Sequence, residues 1–233
     1  MVVLPTYNEV ENTPAIVSAI LALGIEETEV LIIDDNSPDG TGQVADELAA
    51  KSGGKVRVIH RQGKLGLGTA YVTGFRYALQ HGADYIVQMD ADFSHSPKYI
   101  PVMLEAAKNC DVVIGSRYIK GGGVDPKWSP FRRFLSWWGN SIYTRLALGL
   151  KIHDATGGFK CFSRKALAGL DLDKMKSQGY AFQVEMNYAC QKKGYCITEI
   201  PIIFPDRTKG KSKMSAAIAL EAALRVWEIK WRY

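Results

Sequence analysis

The chain has 233 residues, 47% of them hydrophobic and 23% charged, with a formal charge of +5 at pH 7. That is enough chain for one large α/β domain with a sizeable core, and the modest positive balance permits an anionic partner without demanding nucleic acid. With no run of about 18 apolar residues, no leader-like N-terminus, four scattered cysteines and no ligand-like His or Cys spacing, the composition argues against a spanning helix, secretion and a zinc site, and fits a reduced cytoplasmic compartment.

Met1 to Leu4 reads as a short apolar strand stopped by Pro5. Thr13-Pro14 marks a helix start, Ile16, Ile20 and Leu23 share one helical face, and Gly24 ends it. Val30 to Ile33 reads as a second strand closed by Asp34-Asp35, followed by the turn Ser37-Pro38-Asp39-Gly40. A helix through Val44 and Leu48 and a strand from Val56 to Ile59 complete a βαβαβ alternation. Such alternation argues for a parallel sheet with right-handed crossovers. Gly63-Lys64-Leu65-Gly66-Leu67-Gly68 comes next, ahead of a helix through Ala70, Phe75 and Leu79. Its glycines would let backbone approach a phosphate at the helix start, with Lys64 adding charge; the other reading is a flexible glycine loop, and the spacing is not that of a dinucleotide fingerprint.

The run Tyr85 to Met89 reads as a fourth strand, and it ends abruptly in Asp90-Ala91-Asp92. Ligands of an open parallel sheet sit beyond the carboxyl ends of its strands, and two hard carboxylates there suit Mg²⁺ or Mn²⁺ bridged by phosphate oxygens. A polar turn closing a strand would read the same way. Pro97 opens a helix through Ile100, Met103 and Ala107; Asp111 to Ile114 is a fifth strand ending in Gly115-Ser116-Arg117, and Gly121-Gly122-Gly123 marks a loop.

From Trp128 the character changes. Phe131, Phe134, Leu135, Trp138, Ile142 and Leu146 recur at helical spacing beside Arg132 and Arg133. Aromatics among cations suit either a helix in a membrane interface or a helix packed on the core. Asp154 to Phe159 forms a glycine-rich turn into a short strand, Gly179 starts a helix carrying Gln183 and Glu185, and Cys196 to Phe204 is strand-like. A basic loop, Arg207 to Lys213, precedes a C-terminal helix from Ser215 whose charges suggest the pairs Glu221–Arg225 and Glu228–Arg232 beside a wide apolar face.

The segments Pro5-Thr6-Tyr7-Asn8-Glu9, Asp34-Asp35, the Lys64 glycine loop, Asp90-Ala91-Asp92, Gly115-Ser116-Arg117 and the Arg207 to Lys213 loop, in this order, resemble the family-2 glycosyltransferases of the GT-A fold, and within them the polyprenol (dolichol) phosphate mannose synthases. The resemblance covers nearly the whole chain. It implies an α/β fold with a mostly parallel, Rossmann-like sheet flanked by helices. Residues 1–117 would form a nucleotide-sugar-binding half and 118–233 an acceptor-binding half. It implies inverting transfer of mannose from GDP-mannose to a polyprenyl phosphate, with Mg²⁺ or Mn²⁺ on Asp90 and Asp92. Nucleotide-sugar contacts would come from Pro5, Tyr7, Glu9, Asp34, Asp35, Lys64, Gly66, Asp90 and Ala91. Arg117, Arg132, Ser136, Arg207 and Lys213 would meet the acceptor phosphate, and Asp92, Arg117 and Arg207 would carry the chemistry. Asp154, Gln183 and Glu185 would position the sugar. One branch of the family adds a Gln to the metal shell at the position of Ser94, which puts a third protein ligand in doubt. The partners implied are a membrane surface reached peripherally from the cytoplasm, or a membrane-anchoring subunit, and no nucleic acid. A UDP-glucose-dependent polyprenyl-phosphate glucosyltransferase, a non-catalytic membrane adaptor that keeps the fold, and a nucleotidyltransferase are the rival readings.

Overall fold

The computed structural model describes residues 1–205 and 225–233. A seven-stranded sheet has the order β3-β2-β1-β4-β7-β5-β8. Its strands are β1 (Val2–Thr6), β2 (Val30–Asp34), β3 (Val56–His60), β4 (Tyr85–Gln88), β5 (Val112–Ser116), β7 (Lys160–Ser163) and β8 (Ile197–Pro201). A two-residue strand β6 (Gly123–Val124) pairs with β9 (Ile203–Phe204) in a small separate ladder. All pairings of the large sheet are parallel except those of β7, which runs antiparallel between β4 and β5.

Successive strand residues point to opposite faces, and both faces are covered. Val2, Leu4, Val30 and Ile32 pack with α1 (Thr13–Leu21), α2 (Thr41–Lys51) and α4 (Ile100–Ala107). Val3, Leu31 and Ile33 pack with α3 (Leu67–Gln80), α7 (Arg164–Ala168), α8 (Gly179–Lys192) and, from the C-terminal helix described over 225–232, Val226 and Ile229. Residues from both halves of the chain therefore share one sheet and one pair of cores.

Pro5 does not stop β1, which runs on to Thr6 and pairs Pro5 with Ile33 of β2. What ends there is the ladder to β4. The Val3 carbonyl accepts the Met89 N–H at 3.3 Å, and the next residue facing β4 is Pro5, which has no N–H to offer. The strand order also reverses here, since β2 and β3 lie on one side of β1 and β4 on the other. This switch point is where an open α/β sheet leaves room for a ligand.

The aromatic stretch is one nearly continuous helical run in three parts: α5 (Pro130–Trp137), a π turn (Trp138–Tyr143) and α6 (Thr144–Leu148). Ser129 caps α5 by accepting the Arg132 N–H. Two expectations are corrected. Cys110 and Cys196 are joined in a disulfide that ties the segment before β5 to the start of β8, so the expectation of cysteines kept reduced is not met for this pair. Arg232 does not pair with Glu228, which instead binds Arg225 at 2.7 Å; Arg232 reaches across to the buried Glu185 of α8.

Candidate active site

At the switch point a cleft of about 200 Å³ is lined by Pro5 and Thr6 at the end of β1, Tyr7 and Glu9 just beyond it, Asp35 after β2, and Asp90, Ala91 and Asp92 after β4, with Lys64, Gly66, Leu67 and Ala70 closing one wall. Eight of the nine expected nucleotide-sugar residues lie in this lining. Asp34 does not. It is buried, accepting the Ser37 N–H at 3.1 Å, the Ser37 hydroxyl at 2.6 Å and the Thr6 hydroxyl at 3.3 Å. It fixes the turn that delivers its neighbour Asp35, a local role that a run of two aspartates conceals.

Each wall residue is held by its own device. Lys64 Nζ sits 4.1 Å from the centre of the Tyr7 ring, a cation–π contact that brackets the cleft mouth. Glu9 is fixed at its backbone by Thr41, whose hydroxyl accepts its N–H at 2.9 Å, and at its side chain by Asn12 at 2.7 Å. Asp35 lies 2.8 Å from Arg61 in a buried ion pair. Burial pushes its carboxyl up, against the pull of Arg61 and of the Leu65 N–H. Arg61 also donates to the Thr69 hydroxyl at 2.6 Å, so a single guanidinium joins the end of β2 to the glycine loop. Arg61 was not expected, and the only hint in the sequence is a cation just past a strand.

The two carboxylates beyond β4 are oriented separately. Tyr71, buried on α3, donates its hydroxyl to Asp90 Oδ1 at 2.7 Å. The Asp90 N–H is donated to His95 Nδ1 at 2.9 Å, which fixes the His95 tautomer with its proton on Nε2. His95 is buried between Phe159 at 5.1 Å and Phe204 at 5.7 Å, and burial holds its pKa down despite Asp90. Asp92 Oδ1 accepts both the N–H and the hydroxyl of Ser94, at 3.0 and 2.5 Å. Neither Tyr71 nor His95 was assigned a role from sequence, because their partners come from the folded sheet.

Arg117, Arg132 and Ser136 gather beside this cleft rather than in it. Arg117 lies 5.2 Å from the Phe204 ring centre, and Phe204 packs on His95. Arg132 lies 3.7 Å from the Trp128 ring centre, and Trp128 packs edge-on to Phe204. Ser136 bonds the Tyr118 hydroxyl at 2.6 Å. Arg117 is already committed: its Nε and Nη2 bind Asp154 at 2.8 and 2.7 Å, and its N–H binds the same carboxylate at 2.9 Å. Burial works against this guanidinium, but Asp154 outweighs it and holds the charge firmly in place. Asp154 therefore serves Arg117 and is not part of the cleft lining. Gln183 and Glu185 are likewise buried away from the cleft, Gln183 bonded to Gln88 and Lys160 and Glu185 to Ser177 and Arg232. Arg207 and Lys213 lie outside the described residues.

A mostly parallel sheet between two helical layers, with two carboxylates facing a switch-point cleft, is the architecture of the GT-A glycosyltransferases. The family model for glycosyl transferase family 2 matches residues 1–170, and the chain belongs to that family. It is 43% identical over 235 aligned residues to the undecaprenyl-phosphate mannosyltransferase of Micrococcus luteus, across 100% of this chain and 95% of that one. It is 41% identical to the polyprenol monophosphomannose synthase of Mycolicibacterium smegmatis, across 100% and 88%. Among solved structures it shares the fold of glucosyl-3-phosphoglycerate synthase from Mycobacterium tuberculosis. The complex with Mn²⁺, UDP-glucose and phosphoglyceric acid matches at a TM-score of 0.67 and 18% identity, over 99% of this chain and 79% of that one. The complex with Mg²⁺ and UDP matches at 0.69 and 16% identity, over 99% and 78%.

Proposed function

We propose that this chain transfers mannose from GDP-mannose to a polyprenyl monophosphate, with inversion, releasing GDP. The observation that carries the reading is whole-chain similarity to a mannosyltransferase named for a polyprenyl phosphate acceptor, in a molecule whose switch-point cleft presents Asp90 and Asp92. In this reading residues 1–117 supply most of the donor wall and residues 118–233 the acceptor side.

The donor set suits a divalent cation, Mg²⁺ or Mn²⁺. Among the described residues no group of three or more His, Cys, Asp or Glu side chains is arranged for a metal, so Asp90 and Asp92 would hold the ion with the diphosphate and water completing its shell. When bound, it would offset the charge developing on the departing diphosphate. Ser94, which donates to Asp92 Oδ1, orients that carboxylate and is not assigned to the metal.

The chain's own residues then have defined tasks. Tyr71, His95 and Ser94 fix the two carboxylates. Lys64, Tyr7 and Asp35 grip the nucleotide side. The acceptor is a phosphate monoester, already anionic at neutral pH, so it needs positioning cations and no strong base. His95 fits that requirement, because its Nδ1 is occupied by the Asp90 N–H and burial keeps it neutral. Arg117 and Arg132, with Arg207 from outside the described residues, supply the positive charge that orients the acceptor phosphate.

The acceptor lies in a bilayer, and among the described residues no helix is long and apolar enough to cross one. Docking in the interface plane fits the surface. No residue of α5 is buried; Phe131, Phe134 and Trp137 are exposed there beside Arg132 and Arg133, Trp138 is exposed at the start of the π turn, and Trp227 and Trp231 are exposed on the C-terminal helix. An apolar, aromatic face edged by cations is what interfacial docking requires. Co-sedimentation with anionic vesicles tests this. Binding should weaken with salt and fall when Trp227 and Trp231 become Ala, whereas protein left in the supernatant at low salt would transfer the task to an anchoring partner.

A further inference from the structure

The wall of the cleft formed by Lys64, Gly66 and Leu67 is held within its own half of the chain by Arg61 and Tyr7, and it also leans on the other half. Gly66 has φ of +100°, and a Cβ built on it would come within 2.3 Å of Gln178 Oε1. A Cβ on Gly68 would come within 2.7 Å of the Ser177 carbonyl oxygen and 2.9 Å of the Phe182 ring. The bare faces of these two glycines are therefore filled by the segment that leads into α8. Gln178 Oε1 also accepts the Gly68 N–H at 3.2 Å. Gly68 lies in the first turn of α3, whose N–H groups have no partner within the helix, so Gln178 acts as a cap supplied from 110 residues away.

Gln178 is itself held. The preceding Ser177 donates its N–H to Glu185 Oε2 at 2.9 Å. Glu185 is fully buried and its other oxygen takes Arg232 Nη1. Arg232 belongs to the C-terminal helix that exposes Trp227 and Trp231 and buries Val226 and Ile229. One unbroken series of contacts thus runs from the last turn of the chain, through Glu185 and Ser177, to the glycine loop at the cleft.

We propose that Gln178 is a positioning residue for the donor site, holding the Gly66–Gly68 wall at the distance the nucleotide diphosphate requires, and that the Arg232–Glu185 pair keeps Gln178 in place. The inference rests on the donor reading of the cleft given above. It assigns the C-terminal helix a part in donor affinity, in addition to any contact with lipid.

The test is calorimetric titration of the full chain with GDP in the presence of Mg²⁺, and with UDP as a second nucleotide. Gln178 is exposed, so Gln178→Ala should fold normally, which its unfolding midpoint checks. Loss of one neutral hydrogen bond predicts about three- to tenfold weaker GDP binding, a higher donor KM and little change in kcat. Arg232→Ala is combined with Glu185→Gln so that no buried charge is left unpaired. That variant should weaken GDP binding to a similar extent, and Arg232→Lys should retain most of the affinity. Combining all three changes should weaken binding no further than the stronger of the two effects, since sites acting through one another are not additive. Unchanged GDP affinity in Gln178→Ala, with wild type binding normally, overturns the role of Gln178 and leaves the donor site standing. Fully additive losses overturn the link from Arg232. A wild-type protein that binds neither nucleotide overturns the donor reading, and the positioning role with it.

Discussion

Removing Asp154 should do more damage than removing any carboxylate that faces the cleft. Its side chain is fully buried and takes three hydrogen bonds from Arg117, whose own side chain is 7% exposed. Asp154→Ala leaves a guanidinium in a nearly dry site without its counter-ion. Breaking a buried pair on one side costs about 3–5 kcal/mol. For a chain of this size each kcal/mol lowers the melting temperature by about 2–4 °C, so the loss should be roughly 6–20 °C. Because both partners are buried, the figure needs little reduction for solvent screening. Arg117→Met combined with Asp154→Ala leaves no stranded charge and should recover part of the loss, although neither variant should use acceptor well. Urea titration followed by circular dichroism measures each step. A single Asp154→Ala variant within about 1 kcal/mol of wild type would show that the pair contributes little net stability, and the account of Arg117 as a locked cation would fail.

Other outcomes follow from particular contacts. Tyr71→Phe removes the hydroxyl that Asp90 Oδ1 accepts; a charged hydrogen bond contributes about 1.5–3 kcal/mol, so half-saturating Mg²⁺ for turnover should rise about tenfold or more, and an unchanged requirement would free Asp90 from Tyr71. Burial holds the Lys160 ammonium down to about 7 from its ordinary 10.5. Between these values the unfolded chain keeps a proton that the folded chain has lost, so stability should rise with pH across that window, by up to about 1.4 kcal/mol per unit. Lys160→Met should flatten this slope. Burial also pushes the Cys161 and Cys190 thiols up to about 12, and Cys110 and Cys196 are paired; alkylation of native, unreduced protein should therefore add no label, and two labels would contradict the pairing.

Much of the fold was legible because its signals are local. Strands in the first half are short apolar runs cut by Asp, Gly or Pro, and each ends within a residue or two of where the pattern places it. Asp90 and Asp92 were legible for the same reason, since a strand that ends in carboxylates announces a sheet edge. What the sequence concealed depends on contacts between distant segments. Nothing in Lys160 to Ser163 shows that β7 is inserted antiparallel between β4 and β5. The π turn at Trp138–Tyr143 is invisible in an otherwise helical pattern. Helical spacing pairs Glu228 with Arg232, but the buried Glu185 has no other described cation in contact and takes that arginine. Glycines 66 and 68 looked like a phosphate cradle, and their sterics show that they also admit Ser177 and Gln178. Asp34 and Asp35 are adjacent and chemically alike, yet one fixes a turn and the other lines the cleft.

The central claim is tested most directly by incubating the protein, Mg²⁺ and a polyprenyl phosphate in vesicles with radiolabelled GDP-mannose or UDP-glucose and analysing the lipid product. The account predicts label from GDP-mannose in a single mannosyl phospholipid of inverted anomeric configuration, abolished by chelation and by Asp92→Ala in folded protein. Label entering lipid from UDP-glucose and none from GDP-mannose, or full transfer by Asp92→Ala in excess chelator, would contradict it.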